Sequence, residues 1–130
     1  MKSKVRFLFI ALLLCGSARE GLAQADSAAV AQAERGQAAF RSVCANCHAT
    51  SQFTGAAFAK KWVGRTALEM FEQLRTTMPQ DNPGGLPREQ YLAVVAYVLK
   101  LNGATGGDAA LADDAEQLRK FVITAPNPIK

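Results

Sequence analysis

The chain has 130 residues, enough for a single domain, and 49% of them are hydrophobic, a composition typical of a folded globular protein and not of a disordered one. Fifteen Lys and Arg against eleven Asp and Glu give a net charge of +4. Residues 1–25 hold four of the basic and one of the acidic side chains, so the other 105 residues carry only +1. This weak charge gives no reason to expect nucleic acid as a partner.

The N-terminal segment has the pattern of a secretory signal peptide. Basic residues within 1–6 precede an unbroken apolar run over 7–15, and small residues then lead to an A-x-A sequence that ends at Ala25. That order predicts export to the periplasm with cleavage after Ala25. The run has nine residues, against the ~18 that a spanning helix needs, so we expect no transmembrane segment in the mature chain. Cys15 leaves a lipoprotein signal open as an alternative.

The rest of the chain predicts helices and no sustained strand, so the predicted fold class is all-α. Apolar faces at helical spacing and capping residues place the helices over about 26–43, 66–77, 87–101 and 113–120. The third of these is apolar around much of its circumference and is predicted to be the most buried. Gly36 lies inside the first helix, where glycine costs roughly 1 kcal/mol relative to alanine. We therefore predict that Gly36 permits the close approach of another backbone.

The most informative motif is C-x-x-C-H, formed by Cys44, Cys47 and His48. Two thiols at this spacing can each add across one vinyl group of a haem, and the next residue then places its imidazole beneath the iron. Cys44 and Cys47 are predicted to form the thioethers, and His48 is predicted to be the proximal axial ligand. The predicted cofactor is one covalent haem c.

Three other interpretations of this motif are weaker. A structural zinc site needs four ligands, and the chain after residue 25 contains no other Cys or His. A thioredoxin-like thiol motif needs a βαβ context that the pattern does not show. A simple structural disulfide between Cys44 and Cys47 would leave His48 without a role.

The second axial ligand of the iron cannot be a histidine, because His48 is the only one in the chain. After residue 25 the methionines are Met70 and Met78. Met70 lies inside a predicted helix, where a methionine most often fills the core. Met78 follows that helix and precedes Pro79, a setting that can hold its thioether toward the iron opposite His48. We favour Met78 over Met70; histidine–methionine ligation raises the reduction potential.

Together these features resemble the class I monohaem cytochromes c over residues 33–103. The resemblance is carried by Gly36, Phe40, the C-x-x-C-H motif, Met78-Pro79, Tyr91, the run over 96–99 and Asn102. It implies a cytochrome c-like fold with three main helices and a short C-terminal helical extension around one covalent haem. It also implies that the first and last main helices cross where Gly36, Phe40 and Tyr97 meet. The expected domains are a signal peptide over 1–25, a cytochrome c domain over 26–103, and an extension over 104–130 that packs on it.

A finer resemblance is to the cytochrome subunits and domains of periplasmic quinoprotein (PQQ-dependent) dehydrogenases. It is carried by the stretches 62–66, 74–79 and 82–86 and by the extension after Asn102. It implies a periplasmic dehydrogenase as electron donor, with a terminal oxidase or another cytochrome as acceptor.

The resemblance also concerns the surroundings of the haem. Where the family often has Gly-Pro-x-Leu after the haem motif, this chain has Gly-Ala-Ala-Phe over 55–58. The proline's carbonyl accepts a hydrogen bond from the proximal histidine in that family, and Ala56 keeps a carbonyl at this position. Trp62 is implied to donate its indole N–H to a haem propionate, and Arg65 to offset propionate charge. The alternative is that Trp62 fills the core while Arg65 is solvated. Lys60 and Lys61 are interpreted as a solvated pair of charges.

The function expected from these residues is transfer of single electrons in a respiratory chain, by a carrier that is not itself an enzyme. An alternative is a haem-based enzyme or gas sensor, which requires that the sixth ligand be displaceable. A thiol oxidoreductase without haem is a further alternative. Binding of carbon monoxide separates the first two, and the absence of haem would reveal the third.

Overall fold

The computed structural model describes residues 17–104 and 109–125. Over these residues the helices are α1 (Ser17–Ser42), α2 (Gly55–Trp62), α3 (Ala67–Thr77), α4 (Arg88–Leu101) and α5 (Ala115–Lys120). Two short 3₁₀ helices, Cys44–Asn46 and Thr50–Phe53, lie between α1 and α2. The described residues contain no named strand, and their one recorded β-bridge joins Thr66 to Val122. The all-α prediction is therefore confirmed.

Helices α3, α4 and α5 lie close to their predicted positions because short-range signals define their ends. The side chain of Thr66 accepts a hydrogen bond from the backbone of Glu69, and the Glu69 carboxylate accepts one in return from the backbone of Thr66. This capping box starts α3. Pro87 is the N-cap of α4 and not its first helical residue. Asp114 caps α5 by accepting from the N–H of Gln117 at 2.8 Å.

The start of helix α1 differs from the prediction. Helix α1 begins at Ser17, ahead of the predicted start near residue 26, because the intervening residues are mostly good helix formers such as Ala, Arg, Glu and Leu. The predicted cleavage point after Ala25 lies within it and stays a prediction. The apolar run over 7–15, with Cys15, lies outside the described residues.

Helix α2 was not predicted. It has eight residues, begins at a glycine, and its N-cap Thr54 makes no side-chain capping bond. So short a helix is marginal on its own and forms through tertiary packing. Phe58 and Trp62, one turn apart, are both buried and anchor it to the core.

Helices α1 and α4 cross in close contact at Gly36. A Cβ placed on Gly36 would lie only 1.8 Å from the carbonyl oxygen of Ala93 and 2.9 Å from the Cβ of Tyr97. The rings of Phe40 and Tyr97 lie 5.6 Å apart between centroids. The predicted close approach at Gly36 is thus confirmed, and its partner is α4.

Helix α4 forms the centre of the core, as predicted. Eight of its fourteen residues are buried: Tyr91, Leu92, Ala93, Val94, Val95, Tyr97, Val98 and Leu99. Such a helix is sheltered on nearly every side, so it provides a rigid support for the chain that packs around it.

The segment over 109–125 contacts helix α1 and the turn between α2 and α3. The Gln32 amide donates to the Leu111 carbonyl at 2.9 Å and accepts from the Leu111 N–H at 2.8 Å. Farther on, Ile123 is completely buried, and its N–H donates to the Arg65 carbonyl at 2.8 Å. The Gly64 N–H donates to the carbonyl of Ile123 at 2.9 Å. This segment therefore holds the turn between α2 and α3.

Within the described part of the chain, no helix combines the length and apolar character required to cross a bilayer.

Candidate cofactor site

A single large cavity brings the predicted functional residues together. Its volume is about 980 Å³, near the upper end of the ~300–1,000 Å³ range of ligand pockets. Of the six predicted site residues, five line it: Cys44, Cys47, His48, Trp62 and Met78. Its other walls include apolar side chains of α3 and α4 such as Leu74, Val94, Val95 and Val98.

The C-x-x-C-H motif lies at the end of α1, where the chain turns tightly. The N–H groups of Cys47 and His48 both donate to the carbonyl of Cys44, at 3.1 and 2.9 Å. This turn brings two thiols and one imidazole to the same cavity wall, and both cysteines are free. Burial raises the pKa of the Cys44 thiol. A thiol used for disulfide exchange has a lowered pKa, so the environment of Cys44 does not favour that chemistry.

The imidazole of His48 has a side-chain partner that the sequence analysis missed. Its Nδ1 lies 3.1 Å from Oε1 of Gln52. Ala56, whose carbonyl is the expected acceptor, lies in the first turn of α2, and among the described residues the recorded side-chain hydrogen bond of His48 is the one to Gln52. The His48 ring also makes an edge contact with Phe53, with ring centroids 5.3 Å apart. The only sequence signal for Gln52 was its spacing of four residues from His48.

Met78 lines the cavity directly after the end of α3. Its N–H donates to the Leu74 carbonyl at 2.9 Å, and its own carbonyl accepts from the hydroxyl of Tyr91 at 2.7 Å. The peptide bond between Met78 and Pro79 is cis. Met70 also borders the cavity, but it is 4% exposed and belongs to the core cluster. Both methionines thus reach the cavity, and preference for Met78 as the ligand stays a prediction.

Asn102 fastens the loop after the C-x-x-C-H motif to the end of α4. Its Nδ2 donates to the carbonyls of Phe53 and Val98, both at 2.8 Å, and its Oδ1 accepts from the Gly55 N–H at 3.0 Å. Asn102 is 7% exposed, so its amide makes these hydrogen bonds almost completely shielded from water. The cavity wall that carries His48 is held in this way by a residue far away in sequence.

The two residues expected near haem propionates occupy different places. Trp62 is buried and lines the cavity, whereas Arg65 does not line it. The guanidinium carbon of Arg65 lies 4.8 Å from the centroid of the Trp62 ring, and its Nε pairs with the Glu69 carboxylate at 3.2 Å. Lys61, which was interpreted only as a solvated charge, lines the cavity with its Nζ 5.0 Å from the same ring. Within the part of the chain that the structure describes, Lys61 and not Arg65 is therefore the basic side chain that lines the cavity.

The donor set fits a c-type haem. An apolar cavity of this size carries two free thiols and an imidazole from one turn, with a thioether from a separate loop. In the described part of the chain, no group of three or more His, Cys, Asp or Glu side chains is arranged to hold a metal ion by itself. Iron in a macrocycle needs only the two axial ligands from the protein, which is what this cavity offers. The fold and the site together define a cytochrome c.

Comparison with known families agrees with this. The family model described as "Cytochrome C oxidase, cbb3-type, subunit III" matches residues 31–98, and the chain belongs to this family. The match runs from α1 through the haem-binding motif into α4 and supports a monohaem cytochrome c that carries electrons. The comparisons with curated proteins and with solved structures gave no match.

Proposed function

We propose that this protein is a periplasmic carrier of single electrons. One haem c would be attached through Cys44 and Cys47, with His48 and Met78 as the axial ligands. The observation that carries this proposal is that all four side chains line one cavity. The N-terminal leader pattern supports the periplasmic location.

The haem, when bound, supplies the one-electron couple of its iron. The protein supplies attachment, ligation and a dry environment. Each thiol adds its sulfur to one vinyl carbon and its hydrogen to the other, so the attachment consumes no oxidant. The apolar side chains of α3 and α4 keep water from the site, which raises the potential together with histidine–methionine ligation.

The charged edge of the cavity is the place for the propionates. We assign Trp62 and Lys61 to this edge, because both line the cavity and the Lys61 ammonium lies against the Trp62 ring. Arg65 would act at this edge only indirectly, through the contact of its guanidinium with the Trp62 ring. Its Nε remains paired with the Glu69 carboxylate.

The proposed donor is a periplasmic dehydrogenase of the quinoprotein type. The proposed acceptor is a terminal oxidase or another cytochrome in a respiratory chain. The family description names a subunit of a cbb3-type oxidase, and this favours an oxidase as acceptor. Mixing the reduced protein with each candidate acceptor, and the oxidised protein with each candidate donor, would rank them by the rate of absorbance change.

The ligand assignment is tested with optical spectra of the protein matured in the periplasm. Haem that remains with the chain after denaturing extraction demonstrates covalent attachment. The ferric protein should show the weak far-red band of thioether ligation, and Met78→Leu should abolish it. Met70→Leu is the matched control, because a volume-conserving change in the core should leave the band in place.

Two results would overturn the proposal. A wild-type protein that lacks the far-red band and binds carbon monoxide readily when reduced would indicate a gas sensor or enzyme. A protein without covalent haem would exclude both functions. The location is tested separately, by cell fractionation and by sequencing the mature N-terminus, which should begin at Asp26.

A further inference from the structure

The side chain of His48 makes one hydrogen bond through Nδ1, a ring nitrogen that is not needed for binding iron when Nε2 is the ligand. Its Nδ1 lies 3.1 Å from Oε1 of Gln52. An amide oxygen can only accept, so with Oε1 facing the ring this bond forms in the tautomer that carries the imidazole proton on Nδ1. The lone pair is then on Nε2, which is the nitrogen left free to bind a metal.

Gln52 is held in place by its local backbone and by the residue that follows it. Its N–H donates to the carbonyl of Ala49 at 3.0 Å within the 3₁₀ helix Thr50–Phe53. The carbonyl of Phe53 accepts from Asn102, and the Phe53 ring packs edge-on against Phe40 with centroids 5.6 Å apart. The turn that presents Gln52 is therefore fastened to both α1 and α4.

We propose that Gln52 is a positioning residue for the axial histidine, which sets the ring orientation, the tautomer and the basicity of His48 and thereby the reduction potential. This inference rests on the proposed function. It assigns to an exposed side chain a role that the sequence analysis expected of the main-chain carbonyl of Ala56. A side chain, unlike that carbonyl, can be removed by a single substitution.

The direction of the effect follows from the hydrogen bond. An acceptor at Nδ1–H makes the imidazole a stronger electron donor at Nε2. A stronger donor stabilises ferric iron more than ferrous iron, so it lowers the reduction potential. Removing the acceptor should raise the potential, and replacing the amide with a carboxylate, a stronger acceptor, should lower it further.

The experiment compares midpoint potentials of the haem-loaded protein in five forms: wild type, Gln52→Leu, Gln52→Glu, Ser51→Glu and Gln90→Leu. We expect Gln52→Leu to shift the oxidised-to-reduced ratio at a fixed potential about tenfold toward the reduced form, or about 59 mV for a one-electron couple. Gln52→Glu should shift it the other way.

The last two variants are matched controls. Ser51→Glu adds a charge at an exposed neighbouring position of the same 3₁₀ helix without an acceptor for Nδ1. Gln90→Leu makes the same amide-to-apolar change at an exposed site on α4. In the reduced protein, the proton resonance of the His48 Nδ1–H should move upfield in Gln52→Leu, where its acceptor is lost, and should stay in place in the two control variants.

Each result decides the question. Equal potentials for Gln52→Leu and the wild type, or equal shifts for Gln52→Glu and Ser51→Glu, would refute the role of Gln52 while leaving the proposed function intact. If Gln52→Leu does not mature, the comparison of Gln52→Glu with Ser51→Glu, in midpoint potential and in the Nδ1–H resonance, is decisive. A wild type without covalent haem would overturn the proposed function together with this inference.

Discussion

The hydroxyl of Tyr91 on α4 donates a 2.7 Å hydrogen bond to the main-chain carbonyl of Met78. The hydroxyl oxygen of Tyr91 also accepts a hydrogen bond from the backbone N–H of Leu86 at 3.3 Å. Tyr91 is 1% exposed, so one buried hydroxyl connects both ends of the loop over 78–86 to the central helix. The position of Met78 at the cavity therefore depends on α4 as well as on the end of α3.

Replacing Tyr91 with Phe should loosen this loop. The change leaves the Met78 carbonyl without its buried donor, which should lower the free energy of unfolding by about 1–3 kcal/mol. It should also weaken the far-red band of thioether ligation in the ferric protein. Denaturant unfolding and optical titration with carbon monoxide measure the two effects.

Tyr97→Phe is the matched control, because Tyr97 lies on the same helix and is also buried, and the described residues show no hydrogen bond to its hydroxyl. It should change neither the far-red band nor carbon monoxide binding. Identical behaviour of the two variants would show that the Tyr91 hydroxyl does not position Met78.

Gly36→Ala sets intrinsic helix propensity against packing at the crossing of α1 and α4. In an exposed helix this change stabilises by about 1 kcal/mol. Here the new Cβ would meet the Ala93 carbonyl oxygen at 1.8 Å, and main chain cannot move aside as a flexible side chain would. We expect a net loss of about 1–3 kcal/mol or more, seen as a lower midpoint of urea unfolding. A variant as stable as the wild type would mean that the helices do not touch at Gly36.

Ile123→Ala should show how much the C-terminal segment contributes to stability. Ile123 is completely buried, and truncation to alanine leaves a cavity worth about 2–5 kcal/mol. The neighbouring Val122 is 52% exposed, so Val122→Ala should change stability by less than about 0.5 kcal/mol. Thermal or urea unfolding of both variants measures this contrast. Equal small losses would indicate that this segment is not part of the folded core.

Glu69 gives a pH dependence whose sign follows from its contacts. Hydrogen bonds from the Thr66 backbone at 2.8 Å, then from the Thr66 hydroxyl and from Arg65, hold its pKa below the ordinary value of 4.5 despite some desolvation. A lowered folded pKa means that the contribution to stability is present above about pH 4.5 and is lost as the pH falls through the folded value. Glu69→Gln should therefore be less stable than the wild type near neutral pH, and the difference should shrink as the pH falls below about 4.5.

Urea unfolding at a series of pH values provides this measurement. Glu116→Gln is the control, because Glu116 belongs to an exposed pair with Lys120 on α5, and such pairs contribute little. A difference between Glu69→Gln and the wild type that is constant with pH would show that the capping carboxylate is not responsible.

Several features could be predicted because their signals lie within a few residues. The capping box at Thr66 and Glu69, the breaking of α3 before Met78-Pro79, and the apolar circumference of α4 are all local patterns. The C-x-x-C-H motif needs one tight turn, which the two hydrogen bonds to the Cys44 carbonyl provide. The close approach at Gly36 could be predicted because a glycine inside a helix is unfavourable unless another backbone packs against it.

Other features could not be predicted from the sequence because they depend on contacts between residues that lie far apart in the chain. Helix α2 forms only where the core accepts Phe58 and Trp62. The choice of Lys61 over Arg65 as the cation at the cavity depends on how the turn after α2 is held, and Ile123 holds it from the other end of the chain.

The sequence by itself determined the all-α class, the ends of α3, the C-terminal end of α4, the C-x-x-C-H motif and the two candidate methionines, because helix caps, periodicity and ligand spacing act over single turns. Only the tertiary structure decided that Tyr91 holds Met78 and that Asn102 holds the loop after the motif. These contacts form between groups that packing brings together. No local signal encodes the final distance between them.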